Sequence, residues 1–169
     1  MADDNMTDVI RRYLKDAIAA ENSFESQLRG FAQEGEDRDA HALFQQHAEE
    51  TRSQIERLTT RLNELGDSPS AMKSFMAHMF GMAPKAASMG HDESERVTQD
   101  LMMAYTVEHA EMAMYESLAN VAETVGDQRT AMLAREIQQE EESTARKVWA
   151  MIPTASRQSV RKIASEIRS

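Results

Sequence analysis

The sequence predicts an all-α protein: a four-helix bundle of two antiparallel hairpins with a long crossover between them and a short fifth helix at the C-terminus. Three observations predict it. Four long stretches repeat apolar residues at helical spacing. The chain holds only six glycines and three prolines, too few for a succession of hairpin turns. Alanine, glutamate, glutamine, arginine and methionine are plentiful, while β-branched residues are sparse, which is a helical composition. A chain of 169 residues can bury a core of its own, and residues 1–169 read as a single domain.

The first helix, about 6–31, starts after the cap-type Asn5 or Thr7 and carries Ile10, Leu14, Ala17, Phe24 and Leu28 on one face. "GFAQEGEDRD" ends it with two glycines and a charge cluster, a short connection. The second, about 38–65, aligns Phe44, Thr51, Ile55, Leu58, Leu62 and Leu65, and "LGDSPS" stops it with a C-capping glycine. The third runs from about Ser94 to Val125 and ends at Gly126. The fourth runs from about Asp127 to Ile152, where Pro153 stops it, and a basic helix of about 155–167 follows. The bundle thus occupies about 6–152, with helices near 37 Å long at about 1.5 Å per residue. Two short connections make hairpins, and about 30 residues between them make a crossover.

Charge and composition exclude several functions. A net charge of −10 argues against nucleic-acid binding, which needs concentrated Lys and Arg, although the tail "RQSVRKIASEIRS" is locally basic. With no cysteine there is no disulfide, thiolate zinc site or cysteine nucleophile, which suits a reducing compartment. "MADDNMTDV" lacks a secretory signal's basic and apolar regions, and no apolar run is long enough to span a bilayer. The expectation is a soluble, cytoplasmic protein.

The chemistry lies in carboxylates aimed inward. At about 100° per residue, Glu21, Glu108 and Glu141 fall close to the centres of the apolar stripes of the first, third and fourth helices. On the second helix His47 and Gln54 sit near the centre and Glu50 on the flank; on the third, Glu111 and His109 flank the stripe on opposite sides. One such acid ordinarily reaches out to water or pairs with a base. Several converging ones are different, because an unpaired buried carboxylate costs several kcal/mol. No Lys or Arg lies near the stripe centres, so either protons or cations neutralise them. Oxygen ligands with an occasional imidazole suit iron or manganese. Dimetal bundles use one Glu from each of two helices and Glu-x-x-His from the others. Here Ser53 follows Glu50 and Thr144 follows Glu141 where histidines are expected, so the site is histidine-poor. His47, Gln54 and Glu111 are the available substitutes.

The pieces "AAENSF", "QQHAEETRSQIERL", "VEHAEMAMYESL" and "QQEEESTARKV", in that order, resemble the YciE/YciF family of bacterial ferritin-like proteins over about residues 6–152. The resemblance implies a ferritin-like bundle, a homodimer, the bacterial cytoplasm, a stress-response role and a metal centre in the bundle; with the inward carboxylates, that centre reads as two iron or manganese ions. Zinc is conceivable in a purified sample. The resemblance carries ligand roles onto Glu21, Glu50, Glu108, Glu111 and Glu141, with His47 in or near the shell; by position, Gln54, His109 and Tyr115 stand behind them, with an ordinary flank residue the other reading of His109 and core filling that of Tyr115. The Met-rich crossover 71–89 and the basic tail depart from the family's pattern. Met76, Met79 and Met82 with His78 read as packing material, with Cu(I) as the rival.

Three functions remain open at this stage. The first is a metal-binding protein of the stress-response type that reacts with peroxide or dioxygen. The second is a metal-free structural or interaction protein forming a helical dimer, its inner acids held by hydrogen bonds. The third is a rubrerythrin-like peroxidase or small oxygenase, which without cysteine-bound iron needs an external reductant.

Overall fold

A computed structural model describes residues 2–34, 37–69 and 92–168. Among them are four long helices and no strand: α1 (Ala2–Phe31), α2 (Arg38–Glu64), α3 (Arg96–Thr124) and α4 (Gln128–Glu166), with a 3-10 turn at Glu93–Glu95 leading into α3. The Met-rich crossover 71–89 and His91 lie outside the described residues. None of the helices is long and apolar enough to cross a membrane.

The ends follow local chemistry. Asp37 accepts from the amides of Asp39 and Ala40 to start α2, and Asp127 accepts from that of Thr130 to start α4. Asp92 and Glu95 form a reciprocal capping box ahead of α3. α1 begins at Ala2, so Asn5 and Thr7 lie inside the helix rather than at its start. Gly66 and Gly126, at φ +78° and +81°, end α2 and α3; behind each, the next aspartate's amide reaches back to Leu62 and Ala122 respectively. A Cβ at Gly126 would meet nothing within 4 Å, so only backbone strain opposes it. Gly126→Ala is expected to cost about 1–2 kcal/mol, and to lower the melting temperature by about 2–8 °C in a circular dichroism melt.

The fifth helix is not separate. Residues 155–166 are helical as expected, but they continue α4 through Pro153. Proline leaves the Trp149 carbonyl without its amide partner and crowds it, a cost of about 3 kcal/mol. Trp149 is exposed, so water reaches that turn. Beyond the proline, Ala155 and Ser159 bury against the start of α3, where the Ser159 and Thr98 hydroxyls lie 3.2 Å apart. That packing holds the last turns in line. The Trp149 ring lies on the surface, its centroid 5.0 Å from that of Tyr105.

Two apolar layers fill the bundle. One joins Ile10 and Leu14 of α1, Leu58 and Leu62 of α2, Leu118 and Ala122 of α3, and Ala134 and Ile137 of α4. The other joins Phe24 and Leu28, Phe44 and Ala48, Leu101 and Ala104, and Val148 and Ala155. The order in which each helix meets the layers makes α1/α2 and α3/α4 antiparallel and α2/α3 parallel. The end of α2 and the start of α3 therefore lie at opposite ends of the bundle. Arg61 clamps one end, reaching both Asp127 oxygens at 2.8 Å and Thr130 Oγ1 at 2.8 Å. Between the layers, at mid-height, the interior turns polar.

Candidate metal centre

Glu21, His47, Glu108, Glu111 and Glu141 meet in that middle layer, and none is more than 2% exposed. Each helix supplies them from the face that elsewhere carries its apolar stripe, so folding the bundle necessarily buries them. Their ligand atoms fall into two groups, each within 4.8 Å: His47, Glu108 and Glu141 in one, Glu21, Glu111 and Glu141 in the other. Glu141 belongs to both.

Few of these atoms are satisfied. Both oxygens of Glu108 and of Glu111, Oε2 of Glu21 and of Glu141, and both ring nitrogens of His47 are buried without a hydrogen bond. His47 Nε2 comes within 2.6 Å of Glu108 Oε1, but without hydrogen-bond alignment. The edge-on ring of Phe24, 5.3 Å away, helps fix the imidazole. Gln54 Nε2 donates to Glu141 Oε1 at 2.5 Å and to Glu140 Oε2 at 3.2 Å. The Tyr115 hydroxyl donates to Glu21 Oε1.

Burial dominates the electrostatics. It pushes the Glu21 carboxyl up to about 7, against the Tyr115 hydrogen bond that favours the ionised form. Burial, reinforced by Glu21 and Glu108, raises Glu111 well above the carboxylate range. Burial and then Glu21, Glu111 and Glu108 do the same to Glu141. Burial would lower His47, yet the Glu108 charge outweighs it and lifts the imidazole to about 9. Tyr115 is raised by burial and by Glu21, so its phenol stays a neutral donor. Glu21, Glu111 and Glu141 resist common ionisation in this buried layer, and together with Glu108 and His47 they form a donor set that fits a pair of hard, divalent cations.

Two expected residues stand elsewhere. Glu50 joins neither group. It is partly exposed at the rim, with its Oε2 3.8 Å from His47 Nδ1; it accepts from Gln46 at 2.8 Å and from Thr144 at 3.4 Å. The His47 contact, opposed by partial burial, holds its carboxyl down to about 2. His109 is exposed, its Nδ1 2.8 Å from the Tyr105 carbonyl. One residue beyond Glu108 is about 100° around the helix, which turns it away from the interior. Sequence reasoning missed the rim: Arg57 bound to Glu140, and Lys147 at 3.7 Å from Glu50. The signal was available, since both bases lie on the flanks of α2 and α4 within two turns of the inner residues.

The family described as "Domain of unknown function (DUF892)" matches residues 5–161. The chain belongs to that family. It is 29% identical over 143 residues to Protein YciF of Escherichia coli, covering 81% of this chain and 84% of that protein. The crystal structure of the E. coli stress protein YciF superposes with a TM-score of 0.80 at 26% identity, covering 90% of this chain and 97% of that one. A protein from Xanthomonas campestris superposes at 0.79 with 24% identity, covering 95% and 99%. A Dps protein of Vibrio cholerae, described as a member of a broad superfamily of ferritin-like diiron-carboxylate proteins, superposes at 0.63 with 18% identity, covering 88% and 91%. The fold is the ferritin-like four-helix bundle, and the expected resemblance holds.

Proposed function

We propose that the protein binds two iron or manganese ions at mid-bundle and acts in the bacterial stress response, turning the ions on peroxide or dioxygen. The observation that supports this most is the shared carboxylate: two buried ligand groups with Glu141 in common. His47, Glu108 and Glu141 would hold one ion, and Glu21, Glu111 and Glu141 the other. Such a pair supplies Lewis acidity and one-electron redox capacity in a dry cavity.

The chain's own residues do the rest. Gln54 holds one Glu141 oxygen and leaves the second unpartnered, while Tyr115 does the same for Glu21. Each orienting bond thus fixes a carboxylate and leaves an oxygen free to ligate. The apolar layers above and below exclude water. Because the chain has no cysteine, turnover needs an external reductant. The reading includes a homodimer in the cytoplasm, which rests on the family resemblance.

The rival reading, a metal-free structural protein, draws on the same two bonds, since Gln54 and Tyr115 already satisfy part of two acids. Elemental analysis of protein purified without chelator separates them. Two ions per chain, one per group, are expected. Near-zero iron, manganese and zinc after growth in supplemented medium would favour the rival.

A further inference from the structure

The ligands are fully buried, so the ions need a way in. Of the helix seams, that between α2 and α4 is the loosest of those flanking the centre, whereas the α1–α3 seam is closed by Ile18, Leu118 and the Glu21–Tyr115 bond. A groove of about 680 Å³ opens along the α2–α4 seam, lined by Glu50, Arg57, Glu136, Glu140, Thr144 and Lys147. Its floor meets the centre at two points. Gln54 Nε2 touches both Glu140 of the wall and Glu141 of the centre. Glu50 Oε2 faces His47 Nδ1, which is buried and has no hydrogen-bond partner.

The acids of this groove are not equivalent. Arg57 holds Glu140 through both of its terminal nitrogens, and it lies 3.9 Å from Glu136. Glu50 accepts from two neutral groups, Gln46 and Thr144, and the nearest base of the groove wall, Lys147, stands 3.7 Å away, beyond hydrogen-bond length, and is itself exposed. Glu50 is therefore the groove acid that reaches the centre without being held by a guanidinium. Thr144, buried beneath it and one turn from Glu141, continues the polar path inward.

We infer that the α2–α4 groove is the entrance for divalent cations, and that Glu50 is its transfer carboxylate, receiving a cation from solvent and passing it to the His47–Glu108–Glu141 group. Lys147 competes for the same carboxylate and slows the transfer. This rests on the dimetal reading. It adds that Glu50, although acidic and adjacent, is not a resident ligand.

A transfer residue lowers one barrier in both directions, so it changes rates far more than affinity. The test follows Co(II) entering metal-free full-length protein by stopped-flow absorbance, then follows chelator-driven release. In Glu50→Gln both processes are expected to slow by about tenfold or more, the scale on which a charged cleft accelerates association. Equilibrium stoichiometry should equal that of the wild type. Lys147→Gln should load faster. Glu142→Gln, altering an exposed α4 acid paired with Arg146 away from the groove, controls for net charge and should load like the wild type. A Glu50→Gln protein that loads at the wild-type rate would overturn the entrance. So would one that loses an ion at equilibrium, because Glu50 would then be a ligand. A wild-type protein that takes up no Co(II) would overturn the dimetal reading itself, and the entrance with it.

Discussion

Glu141→Ala is expected to abolish binding of both ions, whereas Glu111→Leu should remove one. Glu141 contributes to both ligand groups, so its loss leaves His47 and Glu108 on one side and Glu21 and Glu111 on the other. Two residues per ion do not fill a first-row metal's coordination. Removing a residue behind a ligand already weakens metal sites by about 10–100-fold, and losing the ligand itself should exceed that for both ions. Glu111 serves the second group alone. The stability change should run the other way. Both Glu111 oxygens are buried without hydrogen bonds, a desolvation cost of about 1–3 kcal/mol that an apolar side chain of similar volume does not carry. Metal-free Glu111→Leu should therefore melt above metal-free wild type, although it binds less metal. Calorimetric titration with Mn(II), alongside melts of each variant, reads both effects. Equal stoichiometry in Glu141→Ala and Glu111→Leu would sink the shared-ligand arrangement.

The helices and most of the inner acids were legible in the sequence because both follow from one periodicity. His47 and Gln54 lie seven residues apart, about 20° short of two full turns, so both point inward. Glu50 is three residues from His47, about 60° around, and that offset moves it from the interior to the rim. Sequence alone places residues on a face but not the depth at which a neighbouring helix covers it. The flank positions of Arg57 and Lys147 are visible in the sequence, but the groove between α2 and α4 that they line is not. Pro153 misled for the opposite reason. Its local penalty was visible, while the compensating burial of Ala155 and Ser159 against α3 joins residues about 60 apart in sequence and leaves no local mark. Asp100 is a similar case. It is buried near Glu34 and Arg96, and burial first, then Glu34, lift its carboxyl to about 7.

Metal-free protein is expected to lose stability as pH rises through neutrality, unlike a protein held by ordinary surface ion pairs. Glu21 titrates near 7 when folded against 4.5 as a free side chain, so between those values the folded state keeps a proton that the unfolded chain has released. Linkage then makes unfolding easier with each step upward in pH. Glu111, Glu141 and Asp100 act in the same direction, since each is raised. His47 adds to it at higher pH: its contribution is complete below 6.5 and disappears as pH rises through about 9. Glu50 and Glu116, both held down to about 2, lose their contribution only as pH falls below 4.5, outside this window. The metal-free melting temperature should therefore be higher near pH 5.5 than near pH 8.5, each kcal/mol lost lowering it by about 2–4 °C. Bound cations replace those protons, so metal affinity should rise with pH. At a free metal concentration about a thousandfold above Kd the gain is about 4 kcal/mol, and the gap between loaded and metal-free melting curves should widen toward alkaline pH. Scanning calorimetry across that range, with chelator and with Mn(II), reads both trends. A metal-free protein most stable at high pH would mean that the inner carboxyls are already ionised and held by something else. A gap that narrows with rising pH would mean that the ions bind without displacing these protons.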